Sequence, residues 1–351
     1  MKPTILLLVS LLFASTAQAQ KDAPSDTTAV KAKKQKPKVK ISGMIQVHFL
    51  REFNTNGDNV RDPDGFRILR ARLQAEGDLN KFISYQLMID PRSPEHRGLL
   101  RDAYVDVHFL KNQTLRVGQQ KTQFGYDNPE TIREHYVVNR SEMSDNLARG
   151  VNLRDAGLGL LGEIPIDSSF RIENSLTFTN GSGLNVAGPF DFSSTKNWFG
   201  RLGIRYKKGK TKLYFGVSGG MGGIKDTGDD DLDPADDFFY KFKRLGLDVR
   251  MDHPRFFAVA EYARGPDNLP AETEDRVGYY LTVAGKTKWD IGPLVRYDAL
   301  DDEYKRLTLG AYYGKPKDNF RLLMNYEFRG NIKDIPEGHD DRLYMQMQVV
   351  F

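Results

Sequence analysis

The last eight residues, Tyr344-Met345-Gln346-Met347-Gln348-Val349-Val350-Phe351, alternate polar and apolar side chains and stop on an aromatic ring. A period of two belongs to a strand with one apolar and one polar face. The pattern recurs upstream. Phe320, Leu322, Met324, Tyr326 and Phe328 oppose Arg321, Asn325, Glu327 and Arg329. Val39, Ile41, Gly43, Ile45, Val47 and Phe49 oppose Lys40, Ser42, Gln46 and His48. Ala103, Val105, Val107 and Phe109 oppose Asp102, Tyr104, Asp106 and His108. A helix would set Asp102 and Asp106 among apolar neighbours on one face, so the helical reading fails there.

The spacing of the turns separates a barrel from a sandwich. Tight connections are expected near 77–81, 111–113, 165–168, 208–210, 252–255, 286–288 and 316–319. Longer ones are expected at 54–65, 91–100, 123–151, 180–196, 220–237, 265–276, 300–303 and 330–341. They alternate, long then tight, so about 16 strands start and end on the tight-turn side. The expected fold is all-β: a transmembrane antiparallel barrel with short periplasmic turns and longer outer loops. Tyr85, Tyr206, Tyr297, Tyr313 and Phe328 near strand ends suit aromatic girdles. A large soluble β protein would have to explain both the loop asymmetry and the N-terminus.

That N-terminus reads as a secretory signal over 1–19. Lys2 precedes the apolar run Leu6 to Phe13, and Ala17-Gln18-Ala19 is a small-x-small cleavage site. The run is too short to span a bilayer as a helix, which takes about 20 residues. Residues 20–38, rich in Lys, Ala, Asp and Pro, are expected to be a disordered periplasmic segment, and 39–351 the barrel. A terminal aromatic on an alternating strand resembles the signal read by outer-membrane assembly machinery. The chain is therefore expected in the outer membrane of a Gram-negative bacterium. The mean hydropathy of −0.54 does not oppose this, because a barrel's lumen-facing residues are polar.

Charge and cysteine content exclude several classes. Eight of the 51 basic residues precede Ile41, against two of the 47 acidic ones, so the body is near neutral. The formal +4 is thus no argument for nucleic acid. With no cysteine there is no lipoprotein anchor, disulfide framework or thiolate metal site. The acidic run from Asp226 to Asp237 lacks EF-hand spacing; it reads as a solvated loop or one bridged to lipopolysaccharide by divalent ions. No metal or cofactor is expected. His108 shares a strand face with Asp106 and Asp102, but no serine nucleophile motif accompanies it, so no enzyme is expected.

Three stretches resemble the phosphate-selective porin O and P family: Arg70 to Gly77, Leu100 to Asp106 and Leu115 to Gly125. They occur in the family's order, and the strand series extends the likeness over nearly the whole mature chain. The resemblance implies a trimer of 16-stranded barrels. It also implies that the third long loop, 123–151, folds into the lumen as a constriction. In such a family, selectivity comes from an arginine series with lysine at the constriction; Arg70, Arg72, Arg116 and Lys121 lie inside the matched stretches. Arg133, Arg140 and Arg149 join as loop residues by position. Arginine stays protonated and grips phosphate or carboxylate through a planar fork.

The expected function is passive diffusion of small anions, phosphate or polyphosphate among them. A non-selective or oligosaccharide pore is the alternative, since the same arginines can pair with Glu76, Asp90, Asp102, Asp106, Glu173, Asp248, Asp298 and Glu327 across strands. A non-transporting adhesin or enzyme barrel stands third. Acidic outer loops disfavour anion capture from outside.

Overall fold

The computed structural model describes residues 39–53, 64–92, 99–148, 153–183, 195–226, 238–301, 304–331 and 341–351. The signal segment, the 20–38 segment, Arg149 and the acidic run beyond Asp226 lie outside the described residues. Sixteen antiparallel strands form one closed barrel in which each pairs with its sequence neighbours and β1 with β16. They are β1 (Val39–Phe53), β2 (Asp64–Asn80), β3 (Ile83–Ile89), β4 (Leu100–Leu110), β5 (Gln113–Lys121), β6 (Arg154–Pro165), β7 (Phe170–Thr179) and β8 (Asn197–Lys208). The second half comprises β9 (Thr211–Asp226), β10 (Phe238–His253), β11 (Phe256–Asn268), β12 (Thr273–Gly285), β13 (Ile291–Leu300), β14 (Tyr304–Tyr313), β15 (Phe320–Asn331) and β16 (Asp341–Val350).

The alternation behaves as its period requires. Ile45, Leu245, Leu281, Met324 and Met347 are exposed on the outer face, while Gln46, Asp248, Thr282, Asn325 and Gln348 are buried inside. An outer face of this kind can only be stable against lipid, and the polar face must then turn to the lumen. Closure leaves no edge with unpaired backbone groups. The seam runs from Met44 opposite Val350 to Phe53 opposite Asp341. Beyond it, Gly43 N donates to Phe351 O at 2.7 Å and Phe351 N to Gly43 O at 3.0 Å. The terminal ring covers Gly43, where a Cβ would lie 2.5 Å from Phe351 Cε2.

The tight connections fall where the turn residues put them, and both described ends of the barrel share that side. Two of the longer ones differ from expectation by several residues. β9 continues to Asp226, opposite Phe238, so the glycine run Gly219 to Gly223 is strand and not loop. At Gly220, Gly222 and Gly223 a side chain would meet Phe199, Asn197 and Phe239 respectively. The connection expected at 265–276 shrinks to 269–272, because β11 and β12 stay paired out to Asn268 and Thr273.

Candidate functional site

The longest connection, 122–153, turns into the barrel. It carries a 3₁₀ turn (Ile132–Glu134) and a short helix α1 (Glu142–Asn146), whose N-cap Ser141 accepts from Ser144 N at 3.1 Å. A loop here needs partners for its backbone groups, and side chains of the opposite wall supply them. Glu261 of β11 accepts from Tyr126 N at 2.9 Å and Asp127 N at 2.6 Å. Asn325 of β15 accepts from Val138 N at 2.8 Å, and Asp298 of β13 from Glu142 N at 3.1 Å. In return Arg296 donates to Asn139 O at 2.9 Å, Arg306 to Arg140 O at 2.8 Å and Arg321 to Arg133 O at 2.5 Å. Several arginines that the alternation aims into the lumen thus hold the loop.

Apolar packing supplies the rest. Phe124, Met143, Leu147 and Ala148 of the loop cluster with Phe199, Phe242, Val259, Ala263 and Tyr280 of the strands. Tyr136, Val137 and Val138 cluster with Ala284, Leu294, Tyr312, Leu323 and Tyr344. Ile132 packs on Met44 and Val350. The loop therefore lies against β8 to β16 and the seam, and its departure and return are at β5 and β6. The signal for this was present: Phe124, Ile132, Val137, Val138, Met143 and Leu147 are too apolar for a loop that stays in water.

Within the loop, Asp127 Oδ1 lies 3.2 Å from His135 Nδ1 and 3.5 Å from Arg140 Nη1. Burial pushes the His135 imidazole well below its usual value, and Arg140, Arg296 and Lys121 add to this against Asp127. Burial alone would raise the Asp127 carboxyl, yet it is held below the ordinary range. We assign that to Arg140 and Arg296, because a neutral imidazole carries no charge.

On the wall facing the loop, the predicted residues separate into two groups. Lys121 Nζ donates to Glu130 O at 2.6 Å and Pro129 O at 3.3 Å, so its ammonium sits at the loop's root on neutral acceptors. Around it stand Arg140, Arg154 and Arg72, with Asp102 the carboxylate among them. Arg72 pairs with Asp90 at 3.1 Å, and Arg70 donates to Gln46 Oε1 at 2.7 Å with Arg140, Arg101, Asp90 and Asp145 as charged neighbours. Arg140 Nη2 donates to Glu130 O at 2.9 Å. Arg70, Arg72, Lys121 and Arg140 thus come together. Arg116 lies apart, bound to Asp106 through two bonds of 2.8 and 2.9 Å and stacked 3.6 Å over Tyr104. Arg133 lies toward Glu76 and Glu134, with its Nε buried and lacking a hydrogen-bond partner.

Two further cations join the first group. Arg154 grips Asp102 at 2.8 and 3.0 Å, and Arg101 is among the charges around Arg70 and Arg72. Strict alternation from the exposed Val117 and Leu158 would point Lys121 and Arg154 at lipid. Gly118, paired with Gly157, changes this. Gly118 has φ +131°, and a Cβ there would lie 2.8 Å from Tyr104 Cα, in the plane of the sheet. The strands can re-aim their side chains at such a pair because glycine tolerates that backbone.

Elsewhere the lumen charges are matched. Arg201 pairs with Asp248 at 2.6 Å and Glu173 at 3.3 Å. Arg306 pairs with Asp298 at 2.9 Å and Glu327 at 3.4 Å, both carboxylates being buried. An Arg306→Met barrel takes this cation from two buried carboxylates, leaving Glu327 with Arg329 at 3.8 Å and Asp298 with no ion pair among the described residues. Loss of one partner in such a cage costs about 3–5 kcal/mol, so the urea midpoint of the detergent-folded barrel is expected to fall sharply. An unchanged midpoint would mean that water reaches these groups. His108 meets Ser84 Oγ at 3.0 Å and Thr114 Oγ1 at 3.1 Å, while Asp106 is taken by Arg116. On the tight-turn side of the loop lie cavities of about 600 and 730 Å³, which share Tyr126, Glu130, Tyr214 and Arg250.

A lipid-facing exterior, a polar lumen and an inward loop define a channel wall, and the sequence of its first half is similar to a known family. Residues 39–188 match the family Phosphate-selective porin O and P. The protein is an outer-membrane porin, and its place is the outer membrane of a Gram-negative bacterium. All the predicted wall and loop cations lie within the matched stretch. No curated protein matches the sequence. Among solved structures, an anion-selective porin from Comamonas acidovorans is similar in fold, with TM-score 0.59 and 13% identity over 90% of this chain and 100% of that one. Pseudomonas putida OprB gives TM-score 0.59 and 12% identity over 89% and 94% of the two chains. The trimer form of Vibrio cholerae OmpT gives 0.58 and 12% over 90% and 100%. These likenesses concern the fold.

Proposed function

We propose that this porin passes small anions passively, with phosphate or polyphosphate among them. The observation that carries the reading is the gathering of Arg70, Arg72, Arg101, Lys121, Arg140 and Arg154 at the root of the inward loop. Their carboxylate neighbours are Asp90, Asp102, Asp127 and Asp145, four against six basic side chains. Lys121 is the centre of the path in this reading, since its Nζ donates to backbone carbonyls and not to a carboxylate. Arg70 and Arg72 lead to it along β2. A row of such weak sites lets an anion arrive and still leave. Arg116 and Arg133 belong to the same path on the inner side in this reading.

A second reading has a specific observation in its favour. Arg72, Arg116, Arg154, Arg201 and Arg306 are each paired with carboxylates, and paired charges favour a general pore. Reversal potential in a salt gradient across a planar bilayer, repeated with added phosphate, decides between them. Anion preference with phosphate block of chloride current supports the anion path. Weak preference without block supports the general pore, and a folded barrel without conductance overturns both. We also propose a homotrimer, the form in which the Vibrio cholerae fold relative is found. Native mass spectrometry of the detergent-extracted porin is expected to give three chains per particle.

A further inference from the structure

The outward face of β10 departs from the apolar belt at one end. Its outward positions read Phe239, Lys241, Lys243, Leu245, Leu247 and Val249, all exposed. Leu245 lies opposite Arg264 of β11, so Arg264 faces outward beside Lys243 and is exposed as well. Among the described residues, none of these three cationic side chains has an ion pair or side-chain hydrogen bond. Among the described residues, the outward carboxylate on the neighbouring strand, Asp275, stands opposite Pro266, beyond Arg264 and away from the belt. Lys241 and Lys243 follow the connection 227–237, so the three cations border the belt on the long-loop side, which faces outward in such barrels.

We infer that Lys241, Lys243 and Arg264 form a docking surface for phosphorylated lipid headgroups of the outer leaflet. A cation just above an apolar belt lays its stem along the hydrocarbon and lifts its charge to the headgroup level. An anionic headgroup attracts each such residue, and the Arg264 fork suits a phosphate. Leu245, Leu247 and Val249 below offer the acyl chains a surface that a free phosphate ion has no use for. The site is independent of the ion path, whose residues face the lumen.

Native mass spectrometry of the full-length porin, with a phosphorylated outer-leaflet glycolipid or its dephosphorylated form, tests this. The wild-type porin is expected to retain the phosphorylated lipid. The triple variant K241Q/K243Q/R264Q should bind it at least about tenfold more weakly, and Lys243→Gln alone should lie between. Single-channel conductance, read in parallel, should stay at the wild-type value and certify the fold. Equal lipid retention by the triple variant overturns the assignment. So does equal binding of the dephosphorylated lipid, or an equivalent adduct with inorganic phosphate alone. A change in oligomeric mass in the variant would give the face to a second copy of the chain and also overturn it.

Discussion

A Lys121→Gln porin is expected to lose about tenfold of its anion-over-cation permeability ratio. The expectation rests on Coulomb energy: a unit charge 4 Å from a passing ion is worth about 1 kcal/mol in water and about 4 kcal/mol at a protein surface. A change of about 1.4 kcal/mol, inside that range, is tenfold. Glutamine is the informative substitute because Lys121 also donates to Glu130 O and Pro129 O. An amide can keep one such bond and so keep the loop root in place while the charge goes. Lys121→Arg should retain the preference. Arg72→Ala should show a smaller loss, since Asp90 already offsets Arg72 at 3.1 Å. The measurement is the reversal potential in a salt gradient, with single-channel conductance alongside. If Lys121→Gln and Arg72→Ala both leave selectivity unchanged, the anion path is wrong and the paired-charge reading stands.

The second large effect is expected from Gly278→Leu on β12. A Cβ there would lie 2.8 Å from both Cβ and Cγ of Met143 and 3.2 Å from Leu147 Cδ1. Met143 Cβ is fixed to the backbone of α1, so rotation of a side chain cannot relieve the clash. Overpacking of this kind costs about 1–3 kcal/mol, and the helix can escape only into the lumen. Gly246→Leu should act in the same way at the loop's start, where Phe124 Cζ would lie 2.6 Å from the new Cβ. The displaced loop is expected to be cut by protease within 122–153 and to alter single-channel conductance by about twofold or more, with β content by circular dichroism unchanged. Wild-type conductance and protease resistance in both variants would show that the loop is not held by these contacts.

The barrel was legible residue by residue because each strand carries its own evidence. Period two, turn residues and the apolar outer face are local properties, and the closing pair of β16 with β1 follows once an even strand count leaves no partner for either edge. Errors arose where pairing outlasted local signals. The glycine run of β9 looks like a loop in sequence, yet β8 holds it in register to Met221 and β10 to Asp226. The connection 269–272 looked longer because Gly265 and Pro266 resemble loop residues, while β12 pairs through them.

The ion path was legible only in part. Arg70, Arg72 and Lys121 could be named, but alternation gave no reason to include Arg154, because the paired glycines Gly118 and Gly157 re-aim the strand ends. Nor could sequence say that Arg116 would stack on Tyr104 against Asp106 while Lys121 faced carbonyls. By itself the sequence determined strand number, which face meets lipid, and which residue types line the lumen, since these depend on neighbours one or two positions away. Only the tertiary structure decided which cations are cancelled and where the loop rests. Those outcomes depend on partners more than a hundred residues distant, such as Tyr126 with Glu261 and Arg140 with Arg306, brought together by closure of the barrel.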